Sequence, residues 1–427
     1  MITYPEATYP ITFRSGDAKR LGSHLKNHDS VVMIGMKRVG INNFLRFFLH
    51  HPGVPKTYID NGTPHVFIPV DLNDLVEREI FPFWTLLLKR SVDVVERLNL
   101  PEKEKQAARK LFSESIQLKD LFLTIDSVQK VLNIIIDGNF YPTIFLIRFD
   151  RLELAFTQEF FHNLQGLKDA THRHMSYVFT SYRPLYELAP RVFTKASLAA
   201  FSQDMYLAPA ATKDLLVVLN MLLTRYHITI PDPVKNILIE QSGGHVQYLH
   251  VSLLRVQEHP ELIKNPDQLL LHLQTSDDVA LQSEELFESL TPKEQAALRA
   301  YRQRQEPVIS GTYLTDIGMI TTGGTKQDIF SPLFAQYLHK IQSHKNGSAS
   351  DFTKKEHVLF TFLKTHENQL CERDAIISAV WPEYEEAGVS DWAIDRLVAR
   401  VRAKLKAQHS PFEIVTVITR GYKLVGK

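Results

Sequence analysis

The stretch GMKRVGINN, Gly35–Asn43, has the glycine spacing of a phosphate-binding loop. In a loop of the pattern G-x-x-x-x-G-K-[ST], backbone N–H groups and a helix N-terminus surround the phosphate oxygens. The lysine reaches the terminal phosphates and the hydroxyl holds Mg²⁺. Gly35 and Gly40 keep the turn, but Ile41 stands at the lysine position and Asn42 at the hydroxyl position, followed by Asn43. Lys37 and Arg38 lie inside the loop and are the cations able to approach a phosphate from another side. The chemistry in question is nucleotide phosphate binding, with the parts for phosphoryl transfer altered.

A second constellation lies near the other end. Arg396, Arg400 and Lys404 recur every four residues, with Arg402 and Lys406 beside them. Ile394, Leu397, Val398, Val401 and Leu405 form an apolar stripe on the same stretch. A helix with one apolar face and a row of cations suits a DNA major groove, where arginine binds guanine in bidentate fashion or clamps phosphates. Ser390 is a good N-cap, with Asp391 in the first turn.

Both constellations need elements to position them. VVMIG (31–35) reads as a buried strand and 41–51 as the helix after it; PHVFIPVDLND (64–74), YPTIFLIRFDRLE (141–153) and the start of 174–190 read as further strands. A largely helical stretch runs from 75 to 138. Strands alternating with helices predict an α/β module with a parallel sheet covered on both faces. From 209 to 275 the periodicity is helical. LTPKEQAALRAY then opens a small unit of helix, short helix, Gly-rich hairpin and helix. QSHKNGSASD, 342–351, is polar and rich in Gly and Ser, as linkers are. The expected organisation is a 1–205 P-loop α/β domain, a 206–280 helical lid, a 281–341 first winged helix, a 342–351 linker and a 352–427 winged-helix domain.

Composition limits the function classes. At 427 residues the chain exceeds one ordinary core. A formal net charge of +1 means that any nucleic-acid surface is a local patch. The single cysteine, Cys371, excludes an intrachain disulfide and a multi-thiolate metal site, and it fits a cytoplasmic location. No apolar run approaches the roughly 20 residues that span a bilayer, so no membrane role is expected. The histidine clusters at His50–His51 and at His172 and His174 lack the spacing of a zinc-hydrolase helix, and no metal site is expected. Trp381, Trp392 and Cys371 are expected in the core.

The segment 352–427 resembles the winged-helix DNA-binding domain of OmpR/PhoB-type response regulators. The resemblance rests on FTKKEHVLFTFL, ERDAIISAVW, VSDWAIDRLVARVRAKL and IVTVITRGYKLV in order. It implies that Arg396, Arg400 and Arg402 face DNA on the recognition helix. It also implies that Arg420 and Lys423 sit on the wing. The wing keeps Gly421 but has Thr419 where the family usually has another glycine. The unit 286–340 resembles the winged helix that follows the ATPase module in origin-recognition-like and archaeal STAND ATPases, on YLTDIGMI and DIFSPLFAQYL.

Residues 10–275 resemble AAA+/STAND ATPases of the origin-recognition-like branch. ITFRSGD (11–17) matches the adenine-clasping box, which implies a contact from Arg14. GMKRVGINN matches the P-loop, IFLIRFDRLE (144–153) Walker B, YVFTSYRPL (177–185) sensor 1 and QSGGHVQYL (241–249) the start of the sensor 2 helix. The Walker B acids are replaced by Ile147 and Arg148; Asp150 follows two residues on, placed by strand alternation on the face of Arg148. Ser181 and Arg183 remain at sensor 1. The resemblance implies ATP or ADP as ligand, held by Arg14, Gly35, Lys37, Arg38, Gly40, Asn42, Asn43, Asp150 and Arg183, with a poor site for Mg²⁺ and no catalytic residue.

The reading is a DNA-binding, transcription-regulatory protein with a degenerate ATPase module. Double-stranded DNA is the expected partner, with a homo-oligomer or protein partner at the N-terminal module. The alternatives are an active NTP-dependent switch, with Lys37 or Arg148 replacing the lost groups, and a non-enzymatic interaction protein in defence or replication.

Overall fold

The computed structural model describes residues 4–60, 62–193, 201–304, 311–323, 326–343, 352, 354–382, 391–417 and 420–426. The chain packs as two compact units, 1–221 with 310–319, and 222–309 with 320–427.

The first unit is built on a five-stranded, all-parallel sheet in the order β2-β3-β4-β1-β5. The strands are β1 (Val31–Gly35), β2 (His65–Asp71), β3 (Tyr141–Ile147), β4 (Ser176–Ser181) and β5 (Gln203–Leu207). β1 and β4 are buried along their whole length, which is why they read as unbroken apolar runs rather than alternating ones. Helices α1 (Ser15–Lys26), α2 (Ile41–His50) and α6 (Gln158–Ala170) accompany the sheet. Between β2 and β3 the chain makes a helical excursion of α3 (Ile80–Arg97), α4 (Glu102–Leu118) and α5 (Leu121–Asp137). Lys119 in the left-handed region turns α4 into α5, and the Asp120 carboxylate caps α5 by accepting from Leu123 N–H. α7 (Leu185–Leu188) follows Pro184, and α8 (Thr212–Tyr226) carries the boundary of the unit.

Two strand expectations are corrected. The run expected as strand to 153 ends at Ile147, because Arg148 adopts φ 59° and ψ 47° and the following Phe149–Ala155 is a 3₁₀ helix. Asp150 therefore lies on that helix, and strand alternation does not place it beside Arg148. β2 likewise stops at Asp71, whose side chain accepts from Asn73 N–H and opens a 3₁₀ turn at Leu72–Asp74.

In the second unit, α9 (Asp232–Ser242), α10 (Val246–Glu258), α11 (Pro266–Thr275) and α12 (Asp277–Glu288) form a helical array. α13 (Pro292–Arg304) follows. The Thr291 hydroxyl accepts from Glu294 N–H and the Glu294 carboxylate accepts from Thr291 N–H, so the expected helix start is a capping box. α14 (Tyr313–Asp316) belongs to the first unit. The antiparallel hairpin β6 (Ile320–Gly323) and β7 (Lys326–Ile329) and the helix α15 (Pro332–Ser343) belong to the second. From 344 on, the expected linker lies outside the described residues.

The C-terminal domain comprises α16 (Lys354–Thr365), β8 (Cys371–Glu372), α17 (Arg373–Val380), α18 (Asp391–Ala407), β9 (Phe412–Val417) and β10 (Gly421–Gly426). Its sheet has the order β8-β10-β9. Leu359, Leu363, Ile376, Ile394, Leu397, Val401 and Leu424 are among its buried apolar residues, joined by Trp381 and Cys371 as expected. Ser390, Thr419 and the side chain of Trp392 lie outside what is described. Gly421 tolerates no side chain, since a Cβ there would sit 2.1 Å from the Cys371 carbonyl oxygen. Among the described residues, no helix is long and apolar enough to cross a membrane, and no group of three or more His, Cys, Asp or Glu residues is placed to hold a metal ion.

Candidate phosphate-loop and nucleic-acid sites

The loop 36–40 leaves the carboxyl end of β1, which lies between β4 and β5 in the sheet. That is where ligands bind in open parallel sheets. Gly40 has φ 112° and starts α2 with no side-chain cap and no acidic residue in the first turn. The glycine turn is therefore present, and the helix dipole behind it is not offset by a side-chain cap or an acid. Gly35 is tightly surrounded: a Cβ would lie 3.0 Å from the Leu207 carbonyl oxygen and 3.2 Å from Ile41 Cδ1, so its neighbours would have to give way. Ile41 thus brings a methyl group to the base of the loop in place of an ammonium.

The neighbouring polar residues are engaged. Lys37 Nζ lies over the Tyr182 ring, 4.9 Å from its centroid. Desolvation pushes the Asp150 carboxyl up to about 6, and Lys37 is among the charges that pull it back down. Arg38 holds φ 61° within the turn. Asn42 is exposed. Asn43 Nδ2 donates to Glu6 Oε1 at 3.5 Å, and Arg46 pairs with the same carboxylate at 3.3 Å.

Arg148 occupies the position where a metal-binding acid was sought. Its Nε donates to Asp71 Oδ1 at 3.0 Å, its Nη2 meets Asp71 Oδ2, and its N–H donates to Thr180 Oγ1 at 2.7 Å. This bidentate clamp corrects the expectation that Arg148 supplies the missing cation, because the guanidinium is held by the carboxylate ending β2. Arg183 is buried, its guanidinium 3.9 Å from the centroid of the Tyr313 ring and 3.3 Å from the Glu187 carboxylate. Its N–H donates to Ser181 Oγ at 3.1 Å. Arg14 is also buried, and is used as a tie. Its N–H donates to Asp214 at 2.9 Å, its Nε to Asp17 at 2.8 Å and its Nη2 to the Ala208 carbonyl at 2.6 Å.

A Mg²⁺-nucleotide does not fit this donor set. The lysine position is apolar, and the Walker B position carries a cation clamped to Asp71. Phosphoryl transfer depends on positive charge at the transferred group, and the loop position that supplies it is hydrocarbon.

On α18, the apolar stripe is buried and the cations leave in two directions. Arg402 Nε donates to the Ile414 carbonyl at 2.8 Å and its Nη2 to Thr416 Oγ1 at 2.8 Å, so this arginine braces β9. Lys404 Nζ pairs with the buried carboxylate of Glu356 on α16 at 2.6 Å. Arg396 bonds Glu284 Oε1 at 2.9 and 2.8 Å and Glu288 Oε1 at 2.7 Å, both on α12. Arg400 pairs with the same Glu284. Burial pulls the Arg400 guanidinium below its usual pKa, and Asp277 pushes it back up. On the wing, Arg420 is exposed and Lys423 half-buried.

The acids that hold these cations were missed by sequence reasoning. Glu284 and Glu288 were legible as an i,i+4 pair matching Arg396 and Arg400, the same spacing with opposite charge. Nothing local marked Asp71 or Glu356.

Strand, glycine turn and helix on a parallel sheet define a P-loop-type α/β module, and three helices with a terminal hairpin define a winged helix. Residues 347–424 match the family described as "Transcriptional regulatory protein, C terminal". The response regulator protein GraR of Staphylococcus aureus strain Mu50 is 34% identical over 85 residues, which cover 20% of this chain and 37% of that protein. The chain thus spans little more than a third of this relative. Among solved structures, a Walker-type ATPase of Pyrococcus abyssi covers 77% of this chain and 96% of its own at 14% identity and TM-score 0.48. The ORC1 protein of Aeropyrum pernix in complex with DNA covers 98% and 90% at 11% identity and TM-score 0.41. The assignment of the first unit rests on its own strand order and turn.

Proposed function

We propose that this protein is a DNA-binding transcription regulator whose P-loop-type module does not hydrolyse nucleotide. The observation that carries the reading is the transcriptional-regulator domain at 347–424, with a buried apolar stripe and a cationic row on α18. Arg396 and Arg400 are the groove-facing cations of the reading, with Arg402 and Lys404 supporting the domain and Arg420 and Lys423 reaching from the wing. The partner is double-stranded DNA.

In the N-terminal module the turn through Gly35, Lys37, Arg38 and Gly40 is the proposed seat for the phosphates of ATP or ADP, with Asn42, Asn43, Asp150, Arg183 and Arg14 as further proposed contacts. Ile41 and the Arg148–Asp71 clamp support binding without turnover. A homo-oligomer or protein partner at this module is part of the same reading.

The test is DNA binding by the full chain, measured by fluorescence anisotropy across a salt series. A log–log slope of several units is expected, since each neutralised phosphate contributes about −0.9. A flat salt dependence at all concentrations would leave the interaction-protein alternative standing.

A further inference from the structure

α12 carries five acidic residues, Asp277, Asp278, Glu284, Glu285 and Glu288. Three of them hold cations of the C-terminal domain. Asp278 pairs with Lys355 at 3.0 Å, Glu288 with Arg396 at 2.7 Å, and Glu284 with both Arg396 and Arg400. The Glu284 and Asp278 side chains are largely buried, at 11% and 4% exposure, and Asp278 also pairs with Arg255 of α10 at 3.0 Å. The pairing is selective. Arg402 and Lys404 are held within their own domain, whereas Arg396 and Arg400 are held by an element over a hundred residues earlier in the chain. The carboxylates lie one helical turn apart, at the pitch of the two arginines. A row of oxyanions there meets the guanidinium donors as DNA phosphates would.

We infer that α12 is an intramolecular stand-in for the DNA backbone that occludes the recognition helix, so that Arg396 and Arg400 exchange Glu284 and Glu288 for DNA. This inference rests on the DNA-binding reading above. One set of donors cannot serve both partners at once, so affinity is reduced by the fraction of molecules in which α18 is released. The device predicts that removing the carboxylates strengthens DNA binding, although Glu284 and Glu288 have no part in touching DNA.

The test compares full-length wild type, Glu288→Gln and Glu284→Gln/Glu288→Gln on the same double-stranded DNA library, from low to physiological salt. The double variant is expected to bind about 10-fold tighter or more, and the single variant by part of that. Glu288 is partly exposed, at 32%, so its single variant keeps the fold; a thermal melt checks the double variant. Equal, salt-dependent binding by wild type and both variants overturns the occlusion and leaves the DNA-binding reading intact. Absence of salt-dependent binding by wild type and variants alike overturns that reading, and the occlusion with it.

Discussion

Arg148 closes on Asp71 across the carboxyl ends of two neighbouring parallel strands, with Nε 3.0 Å from Oδ1. Asp71 is the register partner of Ile147, the residue before Arg148. The pair ties β2 to β3 at the edge of the phosphate-loop end of the sheet, where an ATPase would need its acids facing a metal. With both side chains about 30% exposed, a coupling of about 1 kcal/mol is expected from a double-mutant cycle of Asp71→Ala and Arg148→Ala. Calorimetric unfolding of the four proteins measures it, and additive losses would mean that the clamp contributes nothing.

Phosphate release from ATP is expected to stay at buffer background, with Mg²⁺ and without it. The active-switch alternative requires a Mg²⁺-dependent rate that falls in Lys37→Ala. Observing that rate would overturn the assignment of a silent module.

Asp150 gives a stability signature with a defined sign. Its carboxyl titrates at about 6 in the fold against an ordinary 3.8, chiefly through desolvation. The folded state therefore binds the proton more tightly than the unfolded chain. Stability falls as pH rises from about 4 to 6, and the penalty is complete above that window, at most about 3 kcal/mol. Asp150→Asn is expected to raise the melting temperature at pH 7.5 and to bring little gain near pH 4. An equal shift at both values would show that the carboxylate is not destabilising the fold.

Arg420 is exposed on the wing and takes no part in the α12 contact. Arg420→Ala is expected to weaken DNA binding several-fold at physiological salt and to reduce the salt slope by about 1. An unchanged slope would remove the wing from the interface.

The strand-turn-helix at β1 and the order of elements at 354–426 were legible because each is set by local pattern. An apolar run ends at a glycine turn, a periodic stripe begins, and a short hairpin closes the chain. Asp150 was misplaced because the break that precedes it is conformational. Arg148 is an arginine in the left-handed region, and no composition rule marks such a residue as a strand end. The row Arg396, Arg400, Lys404 was legible as a row and Glu284 and Glu288 as a pair of matching spacing, but the pairing of the two was not. Whether a cation faces solvent or a carboxylate depends on contacts 112 and 48 residues away in the chain. Glu356, buried in the first turn of α16, is a residue that composition alone would have left in solvent.

The α12–α18 pairs also change what a distant polyanion feels. An unpaired guanidinium is a point charge, and its field reaches out to the Debye length, about 8 Å in physiological salt. A guanidinium set against a carboxylate is a dipole, and its field decays faster with distance. With 49 basic and 48 acidic residues in the chain, little long-range attraction remains to guide an approaching duplex. In the conformation described here, encounter with DNA would be a matter of collision and not of steering.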